Sequence, residues 1–420
     1  MKRLLLVTSS YAPVMIADMQ RARMLAWDLP GMGWKVEVLA PNEELQRRGT
    51  TQPDSNHLFN PNVIAYSVPP YEALLLRLFK IRAIGWRAFR PLYRKGLELL
   101  KRGHFDLIYI STAQFNLFCL GRLWWQKTGV PYVLDFHDPW VRRDRYRTTR
   151  SSWKRRIDRV LSRFLEPFAV HKAAGIVSVS PNYLEQLQSR YPNATALQNG
   201  RTMVVPFAAV ERDLQNSSRV THDARRKIVY VGAGGTIMRK SFARICELIS
   251  NLDRKFIENV RIELYGTRSD WNPSMPKELE LIAKEYGLHE IVSEEPAYIP
   301  YVVAIQKIQA ADGLLILGVD DPAYMPSKLF LYALTGKPLL VCLHALSQAE
   351  KYFQNTPEIG HLIRFEDQVT EESDLQSVKD FLDEVRQRKL MDRTKALNPW
   401  LSSAMSRQHV ELFERCLTEK

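Results

Sequence analysis

Four short stretches bring together residue types that can do chemistry. The run Val133-Leu134-Asp135-Phe136-His137-Asp138-Pro139-Trp140 carries an apolar strand straight into a His-Asp pair and a helix-breaking proline. At the carboxyl end of a strand, His137 is placed to donate or accept a proton, and Asp138 to orient the ring or accept hydroxyl groups. A histidine satisfied by backbone groups is the structural alternative. The run Val231-Gly232-Ala233-Gly234-Gly235-Thr236 also follows a strand, with Arg239-Lys240 just beyond. Glycines let backbone approach a phosphate closely, and the paired cations can neutralise it. The spacing is neither a Walker A loop nor a complete GxGxxG. A third stretch, Tyr324-Met325-Pro326-Ser327-Lys328, opens the segment Leu329–Leu334, which closes at Gly336-Lys337-Pro338. Pro and Ser suit a helix start and Gly its end. Free amides there, with Lys328, offer a diphosphate site spanning Met325, Ser327 and Lys328; a plain crossover helix with an exposed lysine is the alternative. The fourth is Thr8-Ser9-Ser10-Tyr11-Ala12-Pro13, with Arg21 in the following helix. Ligands of parallel sheets bind at such strand ends, which singles out Ser10 and Arg21.

These stretches need a scaffold of strands and crossover helices. Apolar runs rich in Val, Ile and Leu occur at 4–8, 36–39, 107–110, 132–136 and 176–179, and again at 228–231, 262–265, 314–317 and 339–342. They do not alternate with polar residues, which is the pattern of parallel strands covered on both faces. Helical periods lie between them, so the fold class is α/β. The segment 206–226, with Gln215-Asn216-Ser217-Ser218, has no apolar period and reads as a linker or a peripheral excursion. Two α/β domains, 1–205 and 227–395, are expected, followed by 396–420. Within that last stretch Pro399–Leu417 is an amphipathic helix candidate, with Trp400, Leu401, Met405, Val410, Phe413 and Leu417 on its apolar side. It caps the second domain or crosses back to the first.

The chain has 420 residues, 45% hydrophobic and 25% charged, which excludes disorder as its main state. Four separated cysteines, Cys119, Cys246, Cys342 and Cys416, show neither zinc spacing nor a disulfide framework, which suits a reducing compartment. No apolar run is long enough to span a bilayer. The net charge of +13 is concentrated: residues 71–102 carry a net +7 and residues 140–172 a net +8. Both blocks are also apolar in helical rhythm. Leu74, Leu75, Leu78, Phe79, Ile81, Trp86, Phe89 and Tyr93 punctuate the first. Ile157, Val160, Leu161, Phe164, Leu165 and Phe168 share one face of the second, with Arg155, Arg156, Arg159 and Arg163 toward the other side. Basic amphipathic helices with aromatic residues suit an anionic membrane surface; packing on their own domain is the alternative. No helix-turn-helix, zinc finger or RNA-binding motif accompanies the charge, so nucleic acid is not the expected partner.

At these residues the chain resembles the family 4 glycosyltransferases, a retaining class with the GT-B fold, and in particular the branch that builds bacterial surface polysaccharides. The resemblance runs through the opening strand and proline loop, Phe105-Asp106-Leu107-Ile108, Val130-Pro131-Tyr132-Val133, the His-Asp-Pro-Trp segment, the strand and Ser-Pro turn of 174–181, Tyr230-Val231-Gly232, Ala311-Asp312, and Pro326-Ser327-Lys328 through Gly336-Lys337-Pro338. It implies two Rossmann-like domains facing a cleft, a carboxyl-terminal helix crossing back, and a nucleoside diphosphate sugar as donor substrate with no cofactor and no metal. Arg239 or Lys240, with Lys328, would hold the diphosphate. Gly266 and Ile299 would lie near the base, His137 would act at the donor sugar, and Ser10 and Arg21 would face a glycan or lipid-linked acceptor. The implied setting is the cytoplasmic face of the cell membrane. Three features depart from the pattern. Ile16 and Ala17 stand where a Gly-Gly pair is usual, and Ala323 and Leu331 stand where the family carries two glutamates. These losses keep a non-catalytic partner subunit as an alternative, and a nucleotide-sugar epimerase or hydrolase on the same scaffold is another.

Overall fold

The computed structural model describes residues 1–42, 53–71, 83–141, 153–215, 225–268, 276–366 and 371–418. The chain divides into two compact units, Met1–Pro206 with Ser403–Lys420, and Phe207–Ser402.

The first unit is built on seven strands: β1 (Lys2–Val7), β2 (Trp34–Pro41), β3 (Ile64–Val68), β4 (Leu107–Ser111), β5 (Tyr132–Phe136), β6 (Gly175–Ser178) and β7 (Thr202–Val204). They form one sheet in the order β3-β2-β1-β4-β5-β6-β7, and every pairing is parallel. The second unit holds β8 (Arg226–Val231), β9 (Val260–Tyr265), β10 (Val292–Glu295), β11 (Gly313–Leu317), β12 (Leu339–His344) and β13 (His361–Phe365), in the all-parallel order β10-β9-β8-β11-β12-β13. The nine apolar runs are the inner strands. The four strands that patterning does not mark, β3, β7, β10 and β13, are the four sheet edges. An edge strand is covered on fewer sides, so its sequence needs no unbroken apolar run.

In both sheets the order reverses beside the first strand of the unit, between β1 and β4 and between β8 and β11. Such a switch point leaves a crevice at the carboxyl ends of the strands. Thr8-Ser9-Ser10 and Ser111-Thr112 fall at the first, and the Gly232 loop and Gly318 at the second.

Two expectations about the connections change. Of the two readings of 206–226, the described residues fit an excursion packed on the second unit and not a bare linker, while 216–224 lie outside the described residues. Ala209 bridges to Leu401, a short 3-10 turn spans Glu211–Leu214, and Asp213 accepts from Tyr301 at 2.6 Å within the second unit. The carboxyl-terminal helix runs Ser402–Leu417, after a separate turn at Asn398–Trp400. Trp400 stacks on Phe330 at 4.9 Å in the second unit. The helix packs in the first unit through Met405, His409, Leu412, Phe413 and Cys416. His409, not Val410, occupies the buried position.

The core of the first unit illustrates how tightly the crossover helices seat. The helix Ile84–Arg102 meets Phe118–Thr128 at Gly96, where an added Cβ would lie 2.3 Å from the Trp124 ring. Trp124 is fully buried, and its indole N–H donates to the Tyr93 carbonyl. Gly96→Ala is therefore expected to destabilise the unit by about 1–3 kcal/mol in chemical denaturation, despite the better helix propensity of alanine. Gly31→Ala, where a Cβ meets nothing within 4 Å, should stay within about 0.5 kcal/mol of wild type.

Candidate functional site

In the first unit the switch point is filled by the protein's own charges. Asp135, the fourth residue of β5, is fully buried, a costly place for a carboxylate. Its Oδ2 is 3.0 Å from Arg21 Nε, accepts the Ser111 hydroxyl at 2.8 Å and lies 2.8 Å from His137 Nε2. Burial alone would raise its pKa, but Arg21 and His137 together hold the carboxyl well below the ordinary range. Arg21 also donates to the Val205 carbonyl at 2.6 Å, which fastens the end of the last β-segment of the unit.

His137 is 8% exposed and ringed by acceptors. Nε2 faces Asp135 and Ser111, and Nδ1 lies 3.7 Å from Asp18. Burial works to lower its pKa, but the Asp135 charge and hydrogen bond, helped by Asp18, outweigh it and raise the pKa to about 9. The two carboxylates thus favour the protonated, positively charged ring. Asp18, in turn, is held by the hydroxyls of Ser9 and Thr112 and the amide of Ala113. Asp138 is half-buried.

The acceptor-side residues also differ from expectation. Arg21 and Ser10 are each 2% exposed. Arg21 serves the Asp135 cluster and offers no surface to a ligand. The Ser10 hydroxyl is buried with no protein partner among the described residues.

His409 reaches the same cluster from the carboxyl-terminal helix. Its Nδ1 is 2.7 Å from the Met405 carbonyl, and its ring meets Tyr109 edge-on at 5.8 Å. Burial, reinforced by the Arg21 charge, pushes its pKa down to about 4, so it stays neutral.

In the second unit the switch point is left unsatisfied. Lys328 is a half-buried residue whose ammonium presses against the glycine loop: a Cβ on Gly232 would lie 2.1 Å from its Nζ. The nitrogen sits 5.8 Å from the Tyr230 ring centroid and has no carboxylate partner among the described residues. Burial lowers its pKa to about 8. The helix after it, Leu329–Leu334, is too short to carry much dipole, so the charge of Lys328 is the main attraction there. Met325 is buried and Ser327 half-buried beside it in sequence.

The glycine loop is pinned by its neighbour. Gly232 and Gly234 donate their amides to the Tyr265 and Thr267 carbonyls, and Gly266 donates to Glu295. A Cβ on Gly266, at φ +65°, would stand 3.8 Å from Ile299. The structure thus gathers Gly232, Gly234 and Lys328 in one place and Gly266 with Ile299 in another along the same strand ends. The Gly232 and Gly234 amides are consumed, so they cannot themselves cradle a phosphate.

It does not bring the paired cations there. Arg239 is exposed. Lys240 bonds Asp320 at 2.7 Å and also Glu366, and those bonds raise its pKa. With His344, these two acids make the one group among the described residues with a metal-like set of ligands. The group does not fit a metal. His344 Nδ1 accepts the Leu346 amide at 3.0 Å, so the ring proton sits on Nε2 and points at Glu366, 3.2 Å away. A ligating histidine does the reverse, donating through its far nitrogen. Lys240 already supplies the cation.

The sequence reading missed Asp18, Ser111, Asp135 and His409 as members of the first cluster. Asp135 alone carried a signal: a charge inside an otherwise apolar strand.

Two outcomes follow from the first cluster. Asp135→Asn leaves Arg21 buried without its counter-charge and is expected to cost about 3–5 kcal/mol in urea unfolding. The two histidines should give thermal stability an optimum near neutral pH. His137, raised from 6.5 to about 9, contributes stability that is full below about 6.5 and lost as pH rises through 9. His409, lowered to about 4, contributes stability that is full above about 6.5 and lost as pH falls toward 4. His409→Leu should flatten the acid limb alone.

Residues 19–208 match the family described as a glycosyl transferase 4-like domain. No curated protein matches the chain at a significant level. Among solved structures, a glycosyltransferase from Rickettsia africae aligns with a TM-score of 0.62 at 11% identity, covering 100% of both chains. The catalytic domain of starch synthase IV from Arabidopsis thaliana, bound to ADP and acarbose, gives 0.62 at 12% identity and covers 100% of both. Anabaena HepE in complex with UDP gives 0.58 at 14% identity over 99% of this chain and 100% of that one. At such identities the likeness is one of fold, and it agrees with the two parallel sheets. Over residues 19–208 the chain is thus similar to the glycosyl transferase 4-like domain, and as a whole it has the GT-B fold.

Proposed function

We propose that the protein transfers a sugar from a nucleoside diphosphate donor to a glycan acceptor, with the donor held in the second unit. One observation carries this: Lys328, an unneutralised ammonium, lies against the Gly232 loop at the switch point of the second sheet. A partly buried ammonium with no carboxylate partner among the described residues is costly, and a diphosphate would relieve it. The similar structures solved with UDP and ADP support the same ligand class.

In this reading the bond from the sugar's anomeric carbon to the diphosphate breaks and a bond from the acceptor oxygen forms. The acceptor's proton leaves on the departing diphosphate. Attack on the same face retains configuration, with no covalent intermediate. Lys328 meets the negative charge that develops on the leaving group, the role of a preorganised cation in a poorly solvated site. No cofactor is assigned. His137, held between Asp135 and Asp18, contributes positive charge on the side of the first unit.

The finer reading places the acceptor on a lipid and the protein on the inner face of the cell membrane. No helix among the described residues is long and apolar enough to cross a membrane. The helix Trp153–Val170 is suited to lie on one: Ile157, Val160, Leu161, Phe164 and Phe168 are all exposed, Phe164 by 71%, and Arg159 and Arg163 are exposed with them. Five large apolar side chains in water along one basic helix fit an interfacial site. Leu165 turns inward, and the side chains of Arg155 and Arg156 lie outside the description. The first basic block differs. In Ile84–Arg102, Ala88, Leu92, Leu99 and Leu100 are buried, Phe89 and Tyr93 pack on the core, and Trp86 stays exposed. Leu74, Leu75, Leu78, Phe79 and Ile81 lie outside the described residues. The membrane reading therefore rests on the second block.

Nucleoside diphosphate binding, followed by calorimetry, should weaken at least tenfold in Lys328→Ala, the loss of one charge-assisted contact. Gly232→Ala should weaken it too, by displacing the ammonium. Wild-type affinity should fall as pH rises through about 8, because the neutral amine no longer attracts the anion. Absence of binding by any nucleoside diphosphate points instead to the non-catalytic subunit, and sugar release without acceptor to the epimerase or hydrolase. Vesicles containing phosphatidylglycerol should sediment the protein and release it as salt rises above ~0.1 M; equal binding to neutral vesicles sinks the charge argument.

A further inference from the structure

The helix Trp153–Val170 has a second face. Opposite its exposed apolar residues, Ser162 is 7% exposed, and Glu166, Ala169 and Val170 are fully buried. A buried carboxylate on a helix that shows apolar residues to solvent is an expensive arrangement, and its partners show what it holds. Glu166 accepts Arg190 Nε and Nη2 at 3.0 and 3.1 Å and the Tyr191 hydroxyl at 2.7 Å. These bonds anchor the helix to its own unit. Burial pushes the Glu166 carboxyl up, against the pull of Arg190.

The remaining bond goes elsewhere. The Val141 amide donates to Glu166 at 3.3 Å, and one helical turn away Ser162 accepts the Trp140 indole N–H at 3.1 Å. Trp140 and Val141 end the turn that begins at His137. The Trp140 ring stacks on Phe115 at 5.9 Å, and Phe115 on Phe136, the residue before His137. The inner face of the exposed helix thus grips the far end of the His137 turn at two adjacent points, while the Asp135 cluster grips its near end.

We propose that Glu166, with Ser162, is a positioning residue that fixes the His137 turn to the lipid-facing helix, so that contact with an anionic bilayer and ordering of the turn are linked. The occupant follows from charge: the helix lies in the block of net +8, and its apolar side chains are flanked by exposed arginines. The membrane part rests on the reading given under Proposed function. The grip on the turn does not, being a set of hydrogen bonds within one unit.

The test uses the full chain, with vesicles of phosphatidylcholine and phosphatidylglycerol. Hydrogen exchange across residues 137–141 is measured with and without them, together with steady-state kinetics on the nucleotide sugar. In the wild type, vesicles should slow exchange at Val141 about tenfold. Ser162→Ala and Glu166→Gln should sediment with vesicles as the wild type does, yet lose that protection. Their kcat should fall while KM for the donor is unchanged, because donor contacts lie in the second unit. A general loss of packing would instead shift exchange throughout the sheet. Should Glu166→Gln fail to fold, Trp140→Phe, which keeps the ring and removes the indole N–H, takes its place. Unchanged protection and kcat in the variants would overturn the proposal. If the wild type does not bind vesicles, the membrane reading and the linkage both fall, while exchange at Val141 and kcat in the variants without vesicles still decide the positioning role.

Discussion

The first unit hangs on one buried charge. Asp135 sits in the middle of a sheet with no exposed surface, so everything near it is arranged to make that tolerable. Arg21 comes from the helix after β1, Ser111 from the end of β4, and His137 from the end of β5 itself. Through Arg21 the cluster reaches Val205, which is followed by Pro206 at the boundary between units. Through His137 it reaches Asp18 and hence the loops after β1 and β4. Removing a partner from such a set strands a charge in low dielectric, which costs more than the pair ever contributed. The cluster therefore specifies the geometry of four segments at once.

Much of this scaffold was legible in the sequence. Leu4, Leu5, Leu6 and Val7 are all fully buried, and a strand of that kind announces itself as an unbroken apolar run. The sheet edges did not, because Ile64–Val68 and Val292–Glu295 mix exposed and buried positions. The site was legible in part. Lys328 stood out because a strand, a Pro-Ser-Lys start and a helix fall in order along the chain. The fate of Lys240 was hidden, since its partners Asp320 and Glu366 follow β11 and β13, and only the fold puts them together. Arg21 was marked as a ligand contact for the same reason: nothing local reveals that its counter-ion is Asp135. His409 was passed over because a histidine on an amphipathic helix looks like part of its wet side, whereas here its ring packs against Tyr109.

The two sheets repeat one topology and treat the same crevice in opposite ways. At the switch point of the first, positive and negative groups are matched within the chain: Arg21 and the imidazolium of His137 against Asp135 and Asp18. At the switch point of the second, Lys328 meets a glycine loop and the face of Tyr230, with no acid in reach among the described residues. Ala323 and Leu331 bring no charge of their own to the segments flanking it. A matched cluster gains nothing from a ligand, because binding would have to break bonds already made. An unmatched ammonium, held where water is scarce and its pKa has already fallen to about 8, gains a full charge interaction when an anion arrives. That asymmetry, more than any motif, is what supports the proposal that the nucleotide is held by the second unit.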